Sequence, residues 1–394
     1  MIRLETRPYR LAFRRPFVTA FGSLRWREGW VVRVRDDSGR AGFGEAAPLP
    51  GFGGGEPAAV AQALLALARP LADLDAGPAD PIALSRLMQD LVGTRPELLA
   101  RAPAALAAVD LALADLAARR AGLPLARWLA PAAAASVPVN ASISADAPEA
   151  CAAAAREAVA AGYRTIKLKL RGEDRGDLDR VAAVHAVLVG ANDPGGAPAS
   201  PASYATAARI GSAETLPRRA IRLDANASWS RARAIDWLER LAPYGIEYVE
   251  QPTPVEGDPE RDVADLEAVH RLGRVPVAAD EILLDPRAAE RVLARRAAAC
   301  LILKPALLGG PSRASALATR ARAQGMQVVV TSALDGAVGR LGALHLAAAL
   351  GLERACGLAT GGLLAEDLAA FPNVGRGRLA LPAGVGLGVE PAGW

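Results

Sequence analysis

Thr165-Ile166-Lys167-Leu168-Lys169-Leu170 is the stretch from which both the fold and the chemistry can be read. The chain contains only three lysines, two of them here and the third at Lys304, so 43 of its 46 basic residues are arginine. Arginine stays protonated in proteins, whereas a lysine can give up its proton when its surroundings lower its pKa. The three lysines therefore mark positions that need a proton-transferring or compact cation. A Lys-x-Lys pair is also what an ordinary amphipathic strand with two solvated lysines shows, and the lysine census argues against that reading. Side chains alternate along a strand, so Lys167 and Lys169 share one face while Ile166, Leu168 and Leu170 take the other.

Outward from this strand, a repeat of strand and helix appears. Strand ends fall at Ser142, Lys169, Asp224, Glu250, Asp280, Lys304, Thr331 and Leu358, spaced by 27, 55, 26, 30, 24, 27 and 27 residues. One unit of a β/α barrel takes about thirty residues, so every interval but one is a single unit. The interval of 55 contains residues 190–217, a low-complexity stretch with the Gly, Pro and Ser content of a surface loop, which reads as a flexible insertion after the second barrel helix with no chemistry of its own. The segments between strand ends, such as 148–161, 232–241, 262–272, 286–296, 312–324 and 340–350, have helical spacing. The expected fold is α/β: a (β/α)₈-type barrel over 104–369, an N-terminal α+β capping domain over 1–103, and a C-terminal segment, 370–394, packing on that domain. Within the first unit, Trp30–Arg35 and Ala41–Glu45 around Asp37-Ser38-Gly39 predict a hairpin. Ala46–Glu56 is a Gly/Pro loop, and 57–68 and 81–92 are expected helices.

In the barrel register the two lysines point inward, and Asp224, Glu250, Asp280 and Lys304 lie at C-terminal strand ends, where barrel enzymes build their sites. Each carboxylate alone could cap a helix. Three on consecutive strands would repel one another without a counter-charge, and an oxygen-only set of this kind suits Mg²⁺. Lys167 and Lys169 then approach the cation from one side and Lys304 from the other. Their pKa values should be lowered by the cation and by one another. A carboxylate substrate held there would have its α-proton acidified, which predicts proton abstraction next to a carboxylate.

Composition narrows the alternatives. A net charge of +4 carried by scattered arginines, with no basic run or aromatic platform, gives no support to a nucleic-acid partner. Cys151, Cys300 and Cys356 match neither a zinc pattern nor a disulfide framework, and a reduced, cytoplasmic setting fits them. No secretion signal is read at the N-terminus, and Ala104–Ala118, interrupted by Asp110 and Asp115, reads as a buried helix rather than a membrane span. His185, His270 and His345 sit among Ala, Val and Leu in helical patterns and are assigned to packing. The expected partner is a small-molecule carboxylate, and a homo-oligomer is compatible with the sequence.

The motifs Lys167-Leu-Lys169, Asp224-Ala-Asn226 with Trp229, Glu250-Gln-Pro252, Asp280-Glu281 and Lys304-Pro305 together resemble the enolase superfamily, specifically its muconate-lactonizing subgroup. Gly44–Phe52, Thr331–Asp335 and Gly357–Asp367 are similar to the o-succinylbenzoate synthases within it. The resemblance implies metal ligands Asp224, Glu250 and Asp280, and syn-dehydration of 2-succinyl-6-hydroxy-2,4-cyclohexadiene-1-carboxylate through a metal-stabilised enediolate, a step of menaquinone synthesis. It implies Lys169 as acid/base, Lys304 as the cation on the opposite face and Lys167 as the electrostatic neighbour of Lys169. Ser332 and the Gly357 and Leu358 backbone would hold the succinyl end. Arg222 would touch substrate or serve as a buried partner of a ligand carboxylate. Loops 16–25 and 48–55 would cap the barrel mouth. N-succinylamino acid racemase and dipeptide epimerase use the same two-lysine arrangement and stand as the alternative.

Overall fold

The computed structural model describes residues 1–19, 22–74, 77–190 and 219–394; except for Gly190, the expected insertion at 190–217 lies outside the described residues apart from the sequence itself.

The N-terminal part is a three-stranded antiparallel sheet, β1 (Arg3–Thr19), β2 (Gly22–Arg35) and β3 (Ala41–Ala46), in the order β1-β2-β3. The hairpin between β2 and β3 turns at Gly39, whose φ of 83° is costly for any residue with a Cβ, while Asp36 Oδ1 accepts from Ser38 Oγ and Arg40 N. β1 is an addition to the expected hairpin. It is an edge strand carrying Pro8 and Pro16, and its many arginines blur the alternation by which strands are recognised. Helix Pro103–Arg120 lies across this sheet so closely that a Cβ on Gly42 or Gly44 would come within 2.2 Å or 1.9 Å of the helix carbonyls of Ala112 and Ala108. Its alanines allow this approach, and the helix is buried from Pro103 to Ala118.

The barrel sheet runs β5 (Ala141–Ile143), β6 (Thr165–Lys169), β7 (Ala220–Asp224), β8 (Ile246–Glu250), β9 (Val277–Ala279), β10 (Cys300–Leu303) and β11 (Gln327–Val330), all parallel and in that spatial order. The eighth position is filled by single bridges rather than a full strand: Cys356 pairs with Val139 and Gly357 with Thr331. Asn140 N donates to Cys356 O at 3.1 Å and Gly357 N to Val330 O at 3.0 Å, which closes the ring. The expected eighth strand–helix repeat is thus only half present. Among the described residues no α-helix follows Leu358; the chain makes a short turn at Gly361–Leu363 and crosses to β1, where Leu364 bridges Phe13. The tail then forms β12 (Arg378–Ala380) against β4 (Ser136–Pro138) and ends with the Trp394 ring edge-on to Phe43 at 6.3 Å. Among the described residues no helix is long and apolar enough to cross a membrane.

Two registers matter for the site. Lys169 pairs with Asp224 and Asp224 with Glu250, so three ionisable side chains stand side by side at the strand ends. β9, β10 and β11 stop one residue short of Asp280, Lys304 and Thr331, which places those side chains at the first step beyond the ladder.

Candidate active site

The inward faces of β6, β7 and β8 bring together the residues singled out in the sequence. Lys167 Nζ lies 2.9 Å from Asp224 Oδ2 and 2.6 Å from Glu250 Oε1. Lys169 Nζ lies 3.1 Å from Asp224 Oδ2 and 3.3 Å from Asn226 Oδ1. Across the barrel, Lys304 Nζ donates to both oxygens of Asp280, with the Phe52 ring centroid 4.5 Å away. Lys169 is the most open of the lysines, its side chain 36 % exposed against 15 % for Lys167 and 10 % for Lys304. The carboxylates of Asp224, Glu250 and Asp280 are buried.

The charges shape one another. Burial alone would raise Asp224, but the ammonium groups of Lys167 and Lys169 overcome it and hold the carboxyl below the ordinary range. Glu250 is pushed up by burial and by repulsion from Asp224 and Asp280, against the attraction of Lys167. Burial also raises Asp280 and Glu281. Lys167 and Lys304 are raised rather than lowered: against the burial that would neutralise them stand Asp224, Glu250 and Asp280 at Lys167, and Asp280, Glu281 and Glu250 at Lys304. Among the protein's own charges, the expected lowering of the lysine pKa values by one another is therefore outweighed at Lys167 and Lys304. Among the described residues no three His, Cys, Asp or Glu side chains form a group that could hold a metal ion by themselves.

The donor set nevertheless suits a hard divalent cation. Asp224, Glu250, Asp280 and Glu281 are four carboxylates facing three ammonium groups. Glu281 Oε2 is buried without a hydrogen-bond partner. Such an excess of buried oxygen charge is costly unless a cation meets it.

Asn226 and Gln251 carried no assigned role in the sequence, although their motifs were quoted. Asn226 accepts from Lys169 and donates through Nδ2 to Glu281 Oε1 at 3.3 Å. Gln251 Oε1 accepts from Asp280 N at 3.0 Å and Ile282 N at 3.3 Å, fixing the turn that carries Asp280 and Glu281. Asn226, Ala227 and Gln251 have φ of 45°, 57° and 36°, a left-handed kink immediately after two strand-end carboxylates. The legible signal was the polar residue one or two places after each carboxylate, since Asn tolerates that conformation better than most.

Arg222 departs from expectation. Its guanidinium is bound by Glu247 at 2.7 Å and 3.1 Å and by Ala355 O, and Glu247 also pairs with Arg354. A register shift between Ile221 and Arg222 brings Glu247 to it. Gln327 and Cys300, at the N-terminal ends of their strands, lie in the same cluster, so Arg222 plugs the barrel floor and its partner is neither substrate nor a strand-end carboxylate. At the mouth, Ser332 Oγ and Thr360 Oγ1 are 2.8 Å apart, Thr331 Oγ1 donates to Gly357 O at 2.9 Å, and the Leu358 side chain is buried in the core.

Comparison with known proteins bears on this geometry. The family model described as "Enolase C-terminal domain-like" matches residues 150–393, and that of the "Mandelate racemase / muconate lactonizing enzyme, N-terminal domain" matches residues 1–129. Muconate cycloisomerase 1 of Rhodococcus opacus is 30 % identical over 398 residues, covering 99 % of this chain and 95 % of its own. An o-succinylbenzoate synthase of Mycobacterium tuberculosis is 35 % identical over 237 residues, 59 % of this chain and 60 % of its own. The crystal structure of a dipeptide epimerase from Methylococcus capsulatus, complexed with Mg and the dipeptide L-Arg-D-Lys, is 29 % identical and aligns with a TM-score of 0.77 over 98 % of this chain and 99 % of that one.

Proposed function

The chain belongs to the mandelate racemase and muconate lactonizing family of the enolase superfamily, and from that premise we propose that it is an o-succinylbenzoate synthase, using Mg²⁺ to dehydrate 2-succinyl-6-hydroxy-2,4-cyclohexadiene-1-carboxylate. Asp224, Glu250 and Asp280 would hold the cation, which when bound withdraws charge from the substrate carboxylate and acidifies its α C–H bond. Lys169, the most open of the three lysines and steadied by Asn226, takes that proton on Nζ. The C–O bond on the neighbouring carbon then breaks, and the hydroxyl leaves as water with the proton that Lys169 returns. Lys304 supplies a positive charge from the far side of the ring. Lys167, locked between Asp224 and Glu250, stays charged and holds both carboxylates beside Lys169.

The observation that carries the choice of substrate is the mouth beside the eighth position. Leu358-Ala359-Thr360-Gly361-Gly362 offers no carboxylate; Asp335 is buried, with Oδ2 accepting from Ala333 N, and Asp367 pairs with Arg340. A substrate ammonium would find no carboxylate in that segment, whereas a succinyl chain suits the hydroxyls of Ser332 and Thr360 and the backbone of Gly357.

The alternative, 1,1-proton transfer on an N-succinylamino acid or dipeptide by Lys169 and Lys304, is favoured by the nearly full coverage of the dipeptide epimerase. The deciding experiment gives the Mg²⁺-loaded enzyme the cyclohexadiene, N-succinylamino acids, dipeptides and muconolactone in parallel. The proposal expects aromatic product from the first at a rate well above any epimerisation. A dipeptide epimerised faster than the cyclohexadiene is dehydrated would reject it.

A further inference from the structure

Arg27, on β2 and 2 % exposed, lies in the cap, yet its donors reach two segments beyond its own strand. Nε donates to Leu334 O at 3.1 Å in the barrel loop after β11. Nη1 donates to Glu28 O at 3.1 Å and to Pro48 O, and Nη2 donates to Ala47 O. A planar fork with several fixed donors can meet carbonyls in different directions at once, which an ammonium group on a flexible stem does poorly. Leu334 adopts φ 61°, a strained conformation for a leucine that turns its carbonyl toward the guanidinium.

Both segments end at the mouth of the site. From Ala47 and Pro48 the cap loop folds back on itself, Leu49 N donating to Gly53 O at 2.8 Å and Phe52 N to Leu49 O at 2.9 Å, and presents the Phe52 ring to Lys304. Gly54 presses on Leu307 and Pro48, where a Cβ would meet atoms at 2.9 Å and 3.0 Å, so the loop has little room to shift. On the barrel side, Leu334 is two residues from Ser332, whose hydroxyl meets Thr360. Beside it, Glu45 accepts from Gly336 N at 2.6 Å and Gly339 N at 2.8 Å, and from Tyr9 OH at 2.5 Å. Cap and barrel are thus bound together at the first turn of helix Ala337–Ala349.

We infer that Arg27 is a specificity-positioning residue, fixing the distance between the Phe52 wall and the Ser332 wall and so the length of acyl chain the site accepts. It touches neither the lysines nor the carboxylates of the site and acts through the two loops. The inference rests on the proposed role of Ser332 and Lys304 in lining the substrate site.

The test uses the full-length, Mg²⁺-loaded enzyme carrying Arg27→Lys or Arg27→Gln. Hydrogen exchange is followed at 46–53 and 331–336, with steady-state kinetics on the cyclohexadiene and on N-succinyl and N-acetyl amino acids. The expected result is amide exchange faster by about tenfold or more in both segments together, with β5 to β8 unchanged. KM should rise by roughly tenfold with kcat held within about threefold, and the preference for succinyl over acetyl should shrink. Faster exchange in only one segment, or a fall in kcat at constant KM, would overturn the inference. Loss of cooperative folding in both variants would also overturn it, making Arg27 a folding residue. Because exchange needs no turnover, a wild-type enzyme inert on all three substrates would reject the proposed function and leave the clamp decided on the exchange data alone.

Discussion

Asp224, Glu250 and Asp280 at the barrel mouth and Glu45, Asp110 and Asp115 along the seam between cap and barrel are all buried, yet their partners differ in kind. At the mouth the partners are lysine ammonium groups on side chains that can swing away. Along the seam they are mostly backbone N–H groups that cannot. Asp110 accepts from Ser312 N at 2.7 Å and Ser312 Oγ at 2.6 Å, at the start of helix Pro311–Ala323. Asp115 accepts from Phe43 N at 2.9 Å and Leu387 N at 2.7 Å, with Arg119 beside it. Displaceable partners leave the mouth carboxylates available to a cation and substrate. Fixed partners commit the seam carboxylates to holding one part of the chain against another.

If this contrast is right, substitutions on the two sides separate function from stability. Asp224→Asn should lower turnover by roughly a hundredfold or more and weaken Mg²⁺ binding in calorimetric titration, with only a modest shift in melting temperature. Asp110→Ala should do the reverse. It removes the acceptor for both Ser312 donors and should cost about 1–3 kcal/mol in urea denaturation while kcat changes little.

Much of this contrast was legible in the sequence and some was not. The lysine census and the strand-end carboxylates located the mouth because both depend on residue type and on a period-two strand, which are local properties. Arg222 was misplaced because one register shift, beyond the reach of local pattern, brought Glu247 to it. Asp110 and Asp115 were read only as interruptions in an alanine-rich helix, since their partners are 202 and 272 residues away in sequence. The eighth repeat was read as complete because Gly357-Leu358 continues the spacing, while among the described residues the chain after Leu358 makes a short turn and pairs with β1 instead of forming an α-helix.

The pH response offers a finer test of the seam. Burial pushes the Asp110 carboxyl up to about 7, against the hydrogen bonds from Ser312. In the unfolded chain it ionises near the ordinary value of about 4. Between those values the unfolded state has released a proton that the folded state still holds, so stability falls as pH rises. Wild type should therefore lose stability relative to Asp110→Asn from about pH 4 to about pH 7, and the difference should level off above that, as followed by urea denaturation across the range. The smallest effect should come from an exposed pair outside both regions. Arg320→Ala breaks a contact with Glu290 in which both side chains are about half exposed, and should change stability by less than about 1 kcal/mol.

The claim on which the account turns is that Lys169 removes a proton next to a carboxylate. Proton NMR in D₂O with Mg²⁺ tests it directly, following loss of the substrate's α-proton signal as the reaction proceeds. The account predicts rapid loss with wild type and loss slowed by roughly 10²–10⁴-fold with Lys169→Ala, while Mg²⁺ affinity is retained. A Lys169→Ala enzyme that removes the α-proton at the wild-type rate would contradict it.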